Sequence, residues 1–304
     1  MEGFPLPDLD FDDEDDYGES SQLMPSPMPS SIHALTDDER TDICESNGIT
    51  LGSETPLRCT SNSAVYEAYS TDDNNMRYAI KITEHKKRVR DEFDRIRMME
   101  SEQISSPFFV KTINFYESPT KAMLQMELCE RGDISDYNFV AEDESRIWHL
   151  IHDIGTALHI LHSRGLMHLD VSPGNILMTD HHFKLADFGT LTKINFFSEG
   201  DEGAGPYVSP EALAFPNGPR VTSATDIFSF GVVLLEAASG KSAPRGGCQG
   251  YAKIRNGEIR LGHGAYQTPF SQHLCNLVNA MLDPCPDRRP SAEQIVYESI
   301  KHCE

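Results

Sequence analysis

Four side chains in this sequence have the types and spacing to handle a proton, a metal ion and a phosphate together. Asp170 and Asn175 stand in His168-Leu169-Asp170-Val171-Ser172-Pro173-Gly174-Asn175, Asp187 opens Asp187-Phe188-Gly189, and Lys81 closes the run Tyr78-Ala79-Ile80-Lys81. Phosphoryl transfer asks a protein for a positioned nucleophile and for cations that neutralise developing charge, with little covalent chemistry of its own. In such a reaction Asp170 would accept or orient the proton of the attacking hydroxyl. Asn175 and Asp187 offer hard oxygen ligands that suit Mg2+, and Lys81 would reach the α- and β-phosphates of a nucleotide.

The elements that must position these groups change character along the chain. Ala64 to Tyr69 and Tyr78 to Ile82 alternate like strands on either side of a polar turn at Asp72-Asp73-Asn74-Asn75. Glu84 to Glu102, with Phe93, Ile96 and Met99 at helical spacing, predicts an amphipathic helix, and Phe108 to Glu127 predicts two further strands. Beyond Cys129 the periodicity becomes helical: Ile147, Leu150, Ile151, Ile154, Leu158 and Leu161 form one long apolar face. Ala224 to Ser239, Ser271 to Leu282 and Ser291 to His302 are later helix candidates. The pattern predicts an α+β fold of two lobes, a small β-rich one with one helix over about residues 49–127 and a larger α-helical one over about 130–304, joined near Met126 to Cys129.

Charge separates a third region. The formal charge is −22, yet residues 1–48 hold 14 acidic residues against Arg40 alone, so −13 of it belongs to this segment. Its acidic and proline-rich composition buries too little apolar surface to fold alone and predicts a disordered arm before a domain spanning residues 49–304. An acidic balance argues against nucleic acid and anionic lipid as partners. The longest apolar stretch, Ile227 to Ala238, is too short for the roughly 20 residues that span a bilayer, so no membrane association is expected. Seven scattered cysteines read as reduced intracellular thiols without zinc spacing.

Taken in order, Tyr78-Ala79-Ile80-Lys81, His168-x-Asp170-x-x-x-x-Asn175, Asp187-Phe188-Gly189, Ser209-Pro210-Glu211, Asp226 and Arg289-Pro290 resemble the eukaryotic protein kinase family from about Ile49 onward. Leu161 to Leu166, Leu169, Glu127-Leu128-Cys129 and Glu199-Gly200-Asp201 resemble its Wee/Myt group in particular. The resemblance implies a two-lobed kinase fold that uses ATP and Mg2+. Val65 and Ala79 would cover the nucleotide, Glu127 and Cys129 would offer backbone groups to adenine beyond Met126, Asp133 would lie by the ribose, and Glu211 would pair with Arg289. It also implies a protein substrate, a cyclin-dependent kinase phosphorylated on tyrosine or threonine to delay mitosis.

Some positions depart from the family pattern. Aligning on Val65 puts Arg58, Thr60 and Ser63 where the phosphate-covering loop carries glycines, which would hold that loop differently or weaken nucleotide binding. Arg58 is expected as a solvated strand-edge arginine. Ser172 replaces a lysine beside the transferred phosphate, and the group's arginine before Tyr207 is lost within Glu202-Gly203-Ala204-Gly205-Pro206. The acid that pairs with Lys81 stays open among Glu92, Asp94 and Glu100. These departures also admit a pseudokinase, a binding module on a kinase fold with weak or no catalysis. His149, His152, His159 and His162 lie along one helix without converging, and read as partly exposed helix residues.

Overall fold

In the computed structural model, residues 43–302 are described except 61–62, 72–75, 199–202, 204 and 245–246. The expected turn at 72–75, Glu199-Gly200-Asp201 and residues 1–42 of the expected arm therefore lie outside the described residues. Ile43 to Gly48 are described, and Ile43 and Cys44 are buried, with Cys44 Sγ 3.8 Å from Met123 Sδ on the sheet.

Alternation of apolar and polar residues builds the smaller lobe. Its sheet contains β1 (Ile49–Leu51), β2 (Arg58–Cys59), β3 (Ala64–Ser70), β4 (Arg77–Thr83), β5 (Thr112–Glu117) and β6 (Ala122–Glu127), in the order β1-β3-β4-β6-β5, with β2 also pairing β3. All these pairings are antiparallel. The register sets Val65 opposite Lys81, and Lys81 opposite Leu124. Directly opposed residues share a sheet face, so one face presents Val65, Ala79 and Lys81 together. Helix α1 (Lys86–Ser101) packs through Val89 against Leu124 and Ala122 of that sheet, while Ile96 and Met99 turn to the larger core.

The larger lobe is built on α2 (Glu144–Ser163), α3 (Ala224–Ser239), α4 (Gly247–Arg255), α5 (Gln272–Met281) and α6 (Ala292–Ile300). The face expected on α2 is the buried one: Ile147, Leu150, Ile151, Ile154, Leu158 and Leu161 are all fully buried. Ser271 and Ser291 cap α5 and α6 by accepting from backbone N–H groups, and Ser291 with Gln294 forms a reciprocal capping box. Short strand pairs β8 (Ile176–Met178) with β9 (Phe183–Leu185), and β7 (Leu166–Met167) with β10 (Thr192–Lys193), carry the loops that hold Asp170, Asn175 and Asp187. The two-lobed α+β architecture expected from the sequence is the observed one. Among the described residues no helix is long and apolar enough to cross a membrane.

Candidate active site

Lys81 is the hinge point of the site. Its Nζ donates to Glu92 Oε2 at 2.8 Å and to Asp187 Oδ2 at 3.0 Å, linking β4, α1 and the loop after β9. Glu92 is thus the helix acid left open by the sequence; Glu100 is exposed and pairs with Arg97, and Asp94 is exposed. Burial opposes the Lys81 ammonium, but the Glu92 and Asp187 carboxylates outweigh it and raise its pKa above the usual lysine value. Burial also pushes the Glu92 carboxyl up, against the pull of Lys81. Asp187 moves the other way: burial opposes its charge, yet Lys81 and the Gly189 N–H hold it below the usual carboxylate range.

Phe188, next to Asp187, fixes that loop by packing edge-on to Phe109 and His168, with ring centroids 5.3 and 5.5 Å apart. The neighbouring loop is held from beneath by Asp226 on α3. Its carboxylate accepts the N–H groups of His168 at 2.9 Å and Leu169 at 2.8 Å, and a hydrogen bond from His162 at 2.8 Å. Burial raises the pKa of this carboxyl, but His162 and the other donors prevail and lower it. Leu169 adopts the left-handed region at φ 67°, a strained conformation for a side chain of this size, and its burial against Met167, Phe197 and Val208 keeps it there. This strained turn presents Asp170. Asn175 Nδ2 donates to the Asp170 carbonyl and to Asp170 Oδ2, both at 2.8 Å, which leaves Asn175 Oδ1 and the Asp187 carboxylate as hard oxygen donors.

Two such donors fit Mg2+, which keeps much of its coordination for water and phosphate. Among the described residues there is no group of three or more His, Cys, Asp or Glu that could hold a metal ion.

Between the lobes lies a cleft of about 370 Å3. Val65, Ala79, Lys81, Glu127, Cys129, Asp133, Asp170, Asn175 and Asp187 all line it, so every site residue expected from the sequence comes to one cavity. Met126 and Leu177 add apolar wall. At the joining segment the Glu127 N–H donates to the Lys111 carbonyl and the Glu127 carboxylate is held by Lys184 at 2.7 Å. The Cys129 carbonyl accepts from the Gly132 N–H at 3.1 Å. Burial, with Glu127 beside it, pushes the Cys129 thiol up to about 12, so this cysteine is a wall and not a nucleophile.

The departures from the family pattern take specific forms. The loop lacking glycines closes on itself, with Thr60 N donating to the Ser63 carbonyl and Ser63 N to Thr60 Oγ1, so neither N–H is directed at a ligand. Arg58 is not the solvated strand-edge residue expected: its guanidinium crosses the cleft to Asp133 and to the Gly174 carbonyl. The segment before Tyr207, which lacks the arginine of the family pattern, is held from α4, where Arg255 donates to the Gly205 carbonyl at 2.7 Å and the Val208 carbonyl at 2.8 Å. Beside it runs a groove lined by Ser172, Tyr207, Glu236 and Tyr251. His162 was legible only as a helix histidine; its bond to Asp226 joins residues far apart in sequence.

The sequence profile described as Protein kinase domain matches residues 60–299. Similar proteins include the membrane-associated tyrosine- and threonine-specific cdc2-inhibitory kinase wee-1.3 of Caenorhabditis briggsae, 33% identical over 76% of this chain and 35% of its own length. The Wee1-like protein kinase of Oryza sativa subsp. japonica is 34% identical over 58% of this chain and 32% of its own. The mitosis inhibitor protein kinase mik1 of Schizosaccharomyces pombe is 30% identical over 62% of this chain and 35% of its own. The chain thus spans about a third of the length of these relatives.

Proposed function

This chain belongs to the protein kinase family, and we propose that it transfers the γ-phosphoryl group of ATP to a tyrosine or threonine hydroxyl of a cyclin-dependent kinase, restraining entry into mitosis. The observation that carries the reading is the assembled set: Lys81 joined to both Glu92 and Asp187, and Asn175 joined to Asp170, around one cleft. A binding module without catalysis would have no need to keep these five groups in these two sets of contacts. The substrate class is supported by the wee-1.3 relatives, which are described as tyrosine- and threonine-specific cdc2-inhibitory kinases.

Val65, Ala79, Met126 and Leu177 would enclose the adenine, with the Cys129 N–H as its polar contact and Asp133 toward the ribose. Lys81, kept cationic by its two carboxylates, would hold the α- and β-phosphates in place. Asp170 would accept the proton of the incoming hydroxyl, its carboxylate aimed by Asn175. Asn175 Oδ1 and the Asp187 carboxylate would hold Mg2+, which supplies positive charge against the phosphates when bound. Ser172 contributes no charge there, so the rate would rest more heavily on Lys81.

Cys59, Cys129, Cys275 and Cys285 carry free thiols, which supports a reducing compartment and the proposal that the protein acts in the nucleus or cytoplasm. Incubation with γ-labelled ATP and a cyclin-dependent kinase tests the substrate. Label on its tyrosine or threonine supports the assignment, and label confined to other proteins removes it.

A further inference from the structure

Two acceptors at the mouth of the cleft are already engaged by a side chain of the protein itself. Arg58 Nη1 donates to Asp133 Oδ2 at 3.1 Å and to the Gly174 carbonyl. Arg58 stands on β2 of the sheet, Asp133 follows the joining segment, and Gly174 lies between Asp170 and Asn175. The guanidinium therefore ties one lobe to the other across the opening of the cavity that all three residues line.

A second observation shows that the contact is accommodated by the sequence on both sides. Gly174 is not among the glycines with positive φ, so its backbone does not require glycine. What the missing side chain provides is room: a Cβ at Gly174 would collide with the Arg58 guanidinium. An arginine where the family pattern has glycine thus meets a glycine that leaves space for it.

We propose that Arg58 is a displaceable latch at the sugar end of the cleft, competing with the ribose hydroxyls of an entering nucleoside for the Asp133 carboxylate and the Gly174 carbonyl. This rests on reading the cleft as the ATP site. Two N–H bonds of one nitrogen and the two O–H bonds of a vicinal diol are alternative donors for the same pair of acceptors. The Arg58 side chain is 41% exposed, so its ion pair is weak enough to be exchanged for a ligand. Purine binding through the joining segment does not involve these acceptors, whereas nucleoside binding does.

Calorimetric titration of the full chain with adenine, adenosine and Mg-ATP separates the possibilities. Arg58→Ala is expected to bind adenosine about three- to fivefold more tightly than wild type, with adenine unchanged. Gly174→Ala, which keeps the arginine and expels it by volume, is expected to shift adenosine in the same direction. Adenosine affinity unaltered or weakened by Arg58→Ala overturns the latch, and Mg-ATP weakened with adenosine unaltered would place the guanidinium on the phosphates instead, which also overturns it. Absence of binding of all three ligands to wild type and variants overturns the ATP-site reading itself, an outcome distinct from equal binding by all proteins.

Discussion

Lys81 Nζ lies 2.8 Å from Glu92 Oε2, in an ion pair whose side chains are 13% and 3% exposed. Through this contact the position of α1 decides whether the strand lysine points into the cleft. Because Lys81 also meets Asp187, loss of Glu92 leaves the lysine with a partner but without its direction.

Glu92→Gln keeps the volume and removes the charge. It is expected to lower kcat/KM for ATP about a hundredfold, read by steady-state kinetics, with circular dichroism showing an unchanged fold. Wild-type kinetics in this variant would remove Glu92 from the site.

Ser172 lines the cleft with Asp170 and carries no charge. Ser172→Lys is expected to raise kcat by about tenfold or more, since one added electrostatic contact to a transferring phosphoryl group has effects of that order. An unchanged or lowered kcat would show that this site does not depend on a cation there.

Arg289 and Glu211 form a pair with both side chains fully buried, at 2.7 and 2.9 Å. Arg289→Ala strands the Glu211 carboxylate in the core and is expected to destabilise the fold by about 3–5 kcal/mol in urea unfolding. Activity per folded molecule should be unaltered, and a stability change near zero would contradict the role assigned.

Asp226 gives the fold an acid sensitivity. Its folded pKa lies below the ordinary carboxylate value, so its contribution is fully present above that value and is lost as pH falls through the lowered one. Urea unfolding free energy is expected to drop on going from about pH 5 to about pH 2. Asp226→Asn should be less stable at neutral pH by about 1–3 kcal/mol and show a shallower drop in acid. An identical acid slope in both proteins would contradict this.

Much of this architecture was legible in local pattern. Period-two alternation found the Ala64 and Tyr78 strands, helical periodicity found α2 and α3, and motif spacing found Asp170, Asn175, Asp187 and Lys81. The acid for Lys81 stays open in the sequence because distance from the lysine favours Glu100, whereas alignment into Pro107-Phe108-Phe109-Val110 favours Asp94 or Glu92. Glu92 shares a buried stripe with Val89, Ile96 and Met99, and that stripe was a usable signal. The contacts of Arg58 with Gly174, His162 with Asp226, and Arg255 with Gly205 join segments distant in sequence, and no local periodicity carries such pairings. Leu169 in the left-handed region was equally hidden, since leucine does not announce a positive φ as glycine does.

The central claim is that Asp170 serves phosphoryl transfer from ATP. Transfer of labelled phosphate to a cyclin-dependent kinase, compared between wild type and Asp170→Asn, tests it most directly. The expected result is measurable transfer by wild type and a loss of about a hundredfold or more in the variant, with both proteins shifted in thermal stability by Mg-ATP. Equal label from the two proteins, or none from wild type, would contradict the account.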